Sequence, residues 1–302
     1  MSDPPADPPA DPPTATPTAT PTYGDLLRTA MDALGPFCPG IDPHAALLAQ
    51  WGLPDTVGGL ETFAMTCVEA FGGAVAAVKP QSAFFERFGS AGVAVLERTL
   101  AGLRDAGTLS LLDVKRGDIG TTMAGYAQAY LSDGSPLRAD AITVSPYLGY
   151  ESLRPALDLA ASTGRGVFVL TLTSNPEGPS VQHAALDGAT VAACVVAGVA
   201  RDNAAAAASG RLGSVGMVVG ATVGSAVADL GLDLAGAAGP LLAPGLGAQG
   251  GTPAALRETF GAALPQVLGT SSREVLVAGP DVTALRGAAR RAADDLAAAL
   301  AG

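Results

Sequence analysis

Two textures alternate along this chain. Short apolar runs without polar interruption are each followed by a longer segment rich in alanine and leucine. Uninterrupted runs suit parallel strands covered on both faces, whereas half-exposed strands alternate. The runs predict strands over Ala74–Val78, Leu109–Val114, Ala141–Val144, Val167–Leu172, Gly216–Val219, Leu241–Ala243 and Gln266–Leu268, with a shorter one before Asp42. The segments between them predict helices over Tyr23–Leu34, Ala45–Gln50, Leu60–Phe71, Ala91–Ala106, Thr122–Tyr130, Tyr150–Ser162, Thr190–Ser209, Ala254–Gly261 and Val282–Ala301. Asp281 stands at the N-cap of the last helix, where a carboxylate accepts the free amides of the first turn.

A polar or small residue closes each run: Asp42, Lys79, Asp113, Ser145, Ser174, Ala221, Gly245 and Ser272, spaced 24 to 47 residues apart. Eight units of that size predict a single (β/α)8 barrel over residues 23–302, with Tyr23–Leu34 as an N-terminal capping helix. A doubly wound open sheet is the alternative, because spacing does not prove closure. In a barrel the C-terminal strand ends form the site, and the closing residues lie there.

Residues 1–22 break this texture. They repeat Asp-Pro-Pro-Ala and then Pro-Thr-Ala-Thr, which removes backbone donors and offers no face to bury, so a disordered tail is expected. Elsewhere there is ample core material, since 48% of the 302 residues are hydrophobic and only 15% are charged. A net charge of −11 sets the chain against nucleic acid, although a few local cations can still hold one small anion. The mean hydropathy of +0.34 raises the question of a membrane span. The uncharged stretch Leu234–Leu256 is broken by Pro240, Pro244 and Pro253, so none is expected. Ser2, Asp3, Pro4 and Pro5 after Met1 form neither a basic nor an apolar region, so a signal peptide is not expected. Three scattered cysteines (Cys38, Cys67, Cys194) and two histidines argue against a disulfide framework and a histidine-rich metal site. The expectation is a soluble cytoplasmic protein, with the cysteines as core fillers and His44 and His183 as surface or turn residues.

Charge concentrates in Asp113-Val114-Lys115-Arg116-Gly117-Asp118. Alternation puts Asp113 and Lys115 on one face of a strand, pointing into the barrel mouth. Asp118, past the Gly117 turn, is placed to reach back or across to another subunit. Such a row of alternating charges is costly to desolvate, so it needs a compensating network or a function. Taken alone, the spacing equally suits a solvated cluster or a fixed ion pair. Pro244–Gly251 follows another apolar run and offers glycines that let backbone amides converge on an anion, and Arg273 adds a bidentate cation after the last strand. Phosphate sites at these two strand ends recur in barrels. A flexible connection is the plainer account of the glycines.

The string from Asp113 to Thr122 resembles the D-x-K-x-x-D-I-x-x-T signature of the orotidine 5′-monophosphate decarboxylase family. Gly40-Ile41-Asp42-Pro43, Val78–Glu86, Thr173-Ser174-Asn175-Pro176, Pro244–Gly251 and Ser271-Ser272-Arg273 fit the same family in order, and Lys79–Glu86 is similar to its longer-chain branch. The sequence departs from that branch at Ser145, where asparagine is usual, and from the family at Leu172, often polar or charged. The resemblance implies loss of CO2 from C6 of orotidine 5′-monophosphate to give uridine 5′-monophosphate, the last step of de novo pyrimidine biosynthesis, with neither metal nor organic cofactor. It implies that Lys115 stabilises the carbanion and protonates C6, with Asp113 beside the substrate carboxylate. Asp118 and Thr122 would enter the neighbouring site of a homodimer, and Ile119 would line an apolar pocket for CO2. Asp42 and Lys79 would bind ribose hydroxyls, and Ser174 the pyrimidine amide edge. Pro244, Gly245, Gly247, Ser272 and Arg273 would hold the phosphate end, with Gln249 reaching over it.

The sequence leaves two rivals. One is a related barrel that uses the same D-x-K-x-x-D scaffold and Mg²⁺ on a sugar phosphate such as 3-keto-gulonate 6-phosphate. The other is a catalytically silent nucleotide-binding barrel. Sensitivity to a chelator separates the first, and a decarboxylation assay the second.

Overall fold

Eight parallel strands close into a barrel in the computed structural model, which describes residues 21–246 and 251–301. The strands are β1 (Phe37–Ile41), β2 (Ala77–Pro80), β3 (Leu109–Arg116), β4 (Ala141–Val144), β5 (Gly166–Leu172), β6 (Val215–Val219), β7 (Leu241–Pro244) and β8 (Val267–Ser271). They pair in chain order, and β8 returns to β1 with Phe37 opposite Gly269 and Cys38 opposite Thr270. Closure rules out the open sheet.

The helices Tyr23–Leu34, Ala45–Gln50 and Val282–Ala301 occupy their expected ranges, and the Asp281 carboxylate accepts the Ala284 amide at 2.7 Å. The stretch Thr190–Ser209 is instead two helices, Val191–Asp202 and Ala204–Ala208. Asn203 interrupts it, donating to the carbonyls of Val215 and Ala237 at 2.8 and 3.0 Å. The second strand starts at Ala77 rather than Ala74, because the Ala74 amide closes a turn onto the Phe71 carbonyl. The long step between Ser174 and Ala221 holds a short helix, Pro179–Gln182, and an antiparallel hairpin of Ala185–Leu186 with Ala189–Thr190. Other one-turn helices follow β2, β6 and β8, at Ala83–Glu86, Ala226–Asp229 and Arg273–Leu276. Four residues are too few to display a helical period in sequence.

Residues 1–20 of the expected tail lie outside the described residues. Thr22 belongs to the fold: its hydroxyl accepts the Asp25 amide and the Asp25 carboxylate accepts the Thr22 amide, each at 3.3 Å. This reciprocal capping box starts the first helix.

That helix floors the barrel. Tyr23, Leu27 and Met31 pack against one residue from every strand: Cys38, Ala77, Leu111, Ala141, Phe168, Val218, Leu242 and Leu268. The rings of Tyr23 and Phe168 meet edge to face at 6.0 Å. A Cβ on Gly166 would lie 2.4 Å from the Tyr23 ring, so glycine at the start of β5 makes room for it. A larger core fills the space between the strands and the outer helices. No helix among the described residues is long and apolar enough to cross a membrane.

The floor yields a stability test. Phe168→Ala leaves a cavity under all eight strands and should cost about 3–5 kcal/mol in urea unfolding. A loss below about 1 kcal/mol would show that the floor is not close-packed.

Candidate active site

The mouth of the barrel is built on a carboxylate. β3 runs beyond Val114 to Arg116, and its register with β4 shifts between Leu112 and Arg116. In that irregular stretch Lys115 takes φ = 44°. A left-handed backbone costs a non-glycine residue about 1–3 kcal/mol and persists only where its surroundings hold it. The Lys115 ammonium lies over Asp113, with Nζ 2.6 Å from Oδ1 and 2.7 Å from Oδ2. Lys79, buried at the end of β2, donates to Asp113 Oδ2 at 3.2 Å and to Gln81 Oε1 at 3.3 Å. Thr143 on β4 donates to Asp113 Oδ1 at 2.7 Å. Both oxygens of Asp113 are thus committed, to two cations and a hydroxyl.

Burial alone would raise the Asp113 pKa, but Lys79, Lys115 and the hydrogen bonds outweigh it and hold it below the usual carboxylate range. Burial would likewise lower the Lys79 pKa, yet the carboxylates of Asp42 and Asp113 together keep it above the ordinary lysine value. The row of alternating charge is therefore Asp42, Lys79, Asp113, Lys115. Asp42 Oδ1 is buried without a hydrogen-bond partner among the described residues, an acceptor awaiting a donor.

Asp42 and Lys79 also line a cavity of about 340 Å3 with Pro244, Gly245, Ser272 and Arg273. Arg273 makes no ion pair among the described residues, which leaves a cation at the end of β8 for an anionic ligand. Gly245 has φ = 99°, and its carbonyl accepts the Gly251 amide at 3.1 Å. Gly247 and Gln249 lie outside the described residues.

The other expected residues sit apart. Ser174 borders a second cavity, of about 210 Å3, with Thr222 and His183. Asp118 accepts the amide of Ile119 at 2.8 Å and does not contact Lys115. Ile119 is 62% exposed, and Thr122 faces outward on the helix Gly120–Leu131. Within one subunit, then, Asp118, Ile119 and Thr122 do not join the cluster. A Cβ on Gly117 would lie 2.3 Å from the Ser145 carbonyl oxygen, and this close approach ties the ends of β3 and β4 together.

Sequence reasoning missed three neighbours. Thr143 lies two residues before Ser145 on β4, so alternation from that strand end would have found it. Gln81 contacts Lys79 although no role was foreseen for it. His44, expected to be an ordinary turn residue, lines the larger cavity beside Phe84, with ring centroids 5.7 Å apart. Among the described residues, no group of three or more His, Cys, Asp or Glu side chains could hold a metal ion.

The model of the orotidine 5′-phosphate decarboxylase / HUMPS family matches residues 35–288. The chain is 61% identical over 281 residues to the orotidine 5′-phosphate decarboxylase of Salinispora tropica, covering 93% of this chain and 99% of that one. Identity to the Streptomyces coelicolor orotidine 5′-phosphate decarboxylase is 58% over 280 residues, covering 92% and 98% of the two chains. A crystal structure from Streptomyces avermitilis, provisionally assigned the same activity, superposes with a TM-score of 0.89 at 57% identity, covering 94% and 98%.

The charge row has a pH signature. The depressed Asp113 pKa contributes stability that is present above the unfolded carboxyl value of about 3.9 and lost as pH falls through the folded value. The raised Lys79 pKa contributes stability that is complete below about pH 10.4 and lost as pH rises through its folded value. The stability gap between wild type and Asp113→Asn, from urea midpoints, should therefore stay constant from about pH 5 to 9 and narrow below about pH 4. A gap that widens on acidification would reverse the assignment.

Proposed function

The chain belongs to the orotidine 5′-phosphate decarboxylase / HUMPS family, and from that membership we infer how its site works. It is an orotidine 5′-phosphate decarboxylase, a carboxy-lyase that converts orotidine 5′-monophosphate to uridine 5′-monophosphate and CO2 at the last step of pyrimidine biosynthesis. The observation that carries the mechanism is the Asp113 carboxylate held under the Lys115 ammonium beside a cavity edged by Arg273.

The bond from C6 to the carboxylate breaks and its electron pair stays on C6. Lys115 supplies the positive charge that stabilises this carbanion, then delivers an N–H proton to C6 and regains one from solvent. Asp113 lies beside the departing carboxylate, where repulsion is relieved as neutral CO2 leaves. The unpartnered Oδ1 of Asp42 accepts a ribose hydroxyl, and Lys79 binds ribose while holding Asp113. Arg273 and Ser272, with Pro244 and Gly245, take the phosphate, and Ser174 reads the pyrimidine edge. Contacts to the remote phosphate position the ring and so lower the barrier at C6. The reaction needs no metal or organic cofactor.

The same proposal makes the working unit a homodimer and places it in the cytoplasm. Ile119, Tyr147 and Leu148 are 62%, 77% and 52% exposed at the ends of β3 and β4, an apolar surface suited to a second copy. Docking there carries Asp118 and Thr122 to the partner's site and Ile119 to its CO2 pocket. Cys38 and Cys67 are buried core fillers as expected, whereas Cys194 is exposed rather than buried; all three are free thiols, in keeping with a reducing compartment.

Ultraviolet monitoring of orotidine 5′-monophosphate loss tests this reading. Lys115→Ala should lower kcat by at least about 10³-fold. Near wild-type turnover in that variant would remove Lys115 as the acid. Arg273→Ala should mainly raise KM, by about 10–100-fold. Activity should survive EDTA; its loss would favour the metal-dependent sugar-phosphate chemistry instead. Lys115→Ala and Asp118→Asn chains, each inactive alone, should recover about a quarter of the wild-type activity when co-expressed, since half of the mixed dimers' sites are intact. No recovery would sink the shared site.

A further inference from the structure

We propose that Thr143 is a positioning residue for the decarboxylation, fixing from β4 both the carboxylate of Asp113 and the backbone from which Lys115 springs. The inference rests on the reaction assigned above and adds a residue to it. Thr143 is buried. Its hydroxyl donates to Asp113 Oδ1 at 2.7 Å and accepts the Lys115 backbone amide at 3.0 Å. A hydroxyl has one proton, so the two bonds fix each other's sense: the proton goes to the carboxylate and a lone pair takes the amide.

The second bond matters because Lys115 stands where the β3–β4 register is broken, at φ = 44°. Its amide has left the regular ladder, and Thr143 supplies the acceptor that a neighbouring carbonyl would otherwise provide. Thr143 is itself held rigidly, paired with Phe168 of the barrel. The ammonium is therefore aimed by two restraints from one side chain, one on the Lys115 backbone and one on the carboxylate beneath its tip. Valine has nearly the same shape as threonine but offers neither bond, whereas serine offers both.

Thr143→Val should lower kcat about 10–100-fold with KM within about threefold, because Thr143 does not border the phosphate cavity. Thr143→Ser should recover kcat to within about threefold of wild type. In an Asp113→Asn background, Thr143→Val should cost much less than it does alone, which a purely structural role would not produce. Two results would overturn the inference: kcat of Thr143→Val within about twofold of wild type, or Thr143→Ser as impaired as Thr143→Val. If Thr143→Val does not fold, hydrogen exchange at the Lys115 amide of the wild-type protein decides. Protection supports the bond to Thr143, and exchange at the rate of an open loop refutes it. Wild-type turnover measured alongside keeps the two readings apart: its absence would sink the decarboxylase assignment, while its presence with an unaffected Thr143→Val would sink only the role of Thr143.

Discussion

A carboxylate that has given up most of its water can stay ionised only if other groups replace that water. Asp113 meets this condition with two ammonium groups and a hydroxyl, and the architecture of the barrel mouth follows from it. Lys79 must be buried to reach Asp113, so it needs Asp42 as a second counter-charge. Lys115 must lie over the same carboxylate, and the backbone departs from regular strand geometry there. Each group is costly alone and tolerable in the row. Two adjacent strand ends, those of β2 and β3, and the turn after β1 supply the row, so it depends on these neighbouring strands ending side by side.

The division between this row and the proposed phosphate end is physical as well as chemical. Arg273 sits at the rim, exposed and without an ion pair among the described residues, where a dianion can arrive still partly hydrated. Asp113 sits deeper, where water is scarce and fields are strong. In the proposed mechanism, the phosphate would be met where solvation is easy to exchange, while the reacting group would lie between the buried Asp113 and the more exposed Lys115. The floor of Tyr23, Phe168 and one residue per strand keeps the opposite end of the barrel filled, so the depth of the site is set by packing.

Much of this was legible in the sequence because strand ends carry two signals at once, the end of an apolar run and a polar residue. Asp42, Lys79, Asp113 and Arg273 were found that way, and the structure brings them to one face. Thr143 was not, because it lies inside an apolar run, where a threonine reads as one more β-branched strand former. The break at Asn203 was hidden for a different reason: its cause is a tertiary bond to Val215 and Ala237, remote in the helix's own pattern. Asp118, Ile119 and Thr122 were legible as a motif, yet one subunit's geometry gives them no common site, and only the proposed dimer would bring them to one. The spacing pattern could not reveal the hairpin after β5, whose strands are two residues each.

If Lys115 acts as proposed, its left-handed setting puts heat resistance and turnover in conflict at one position. Glycine would relieve the backbone there, and drift toward a more robust chain favours such a relaxation. The amine forbids it. A breeder selecting this protein for endurance alone would be drawn to erase the side chain to which the proposed mechanism gives the proton transfer, and on that mechanism lineages under metabolic demand must keep a tense link that thermodynamics would rather slacken.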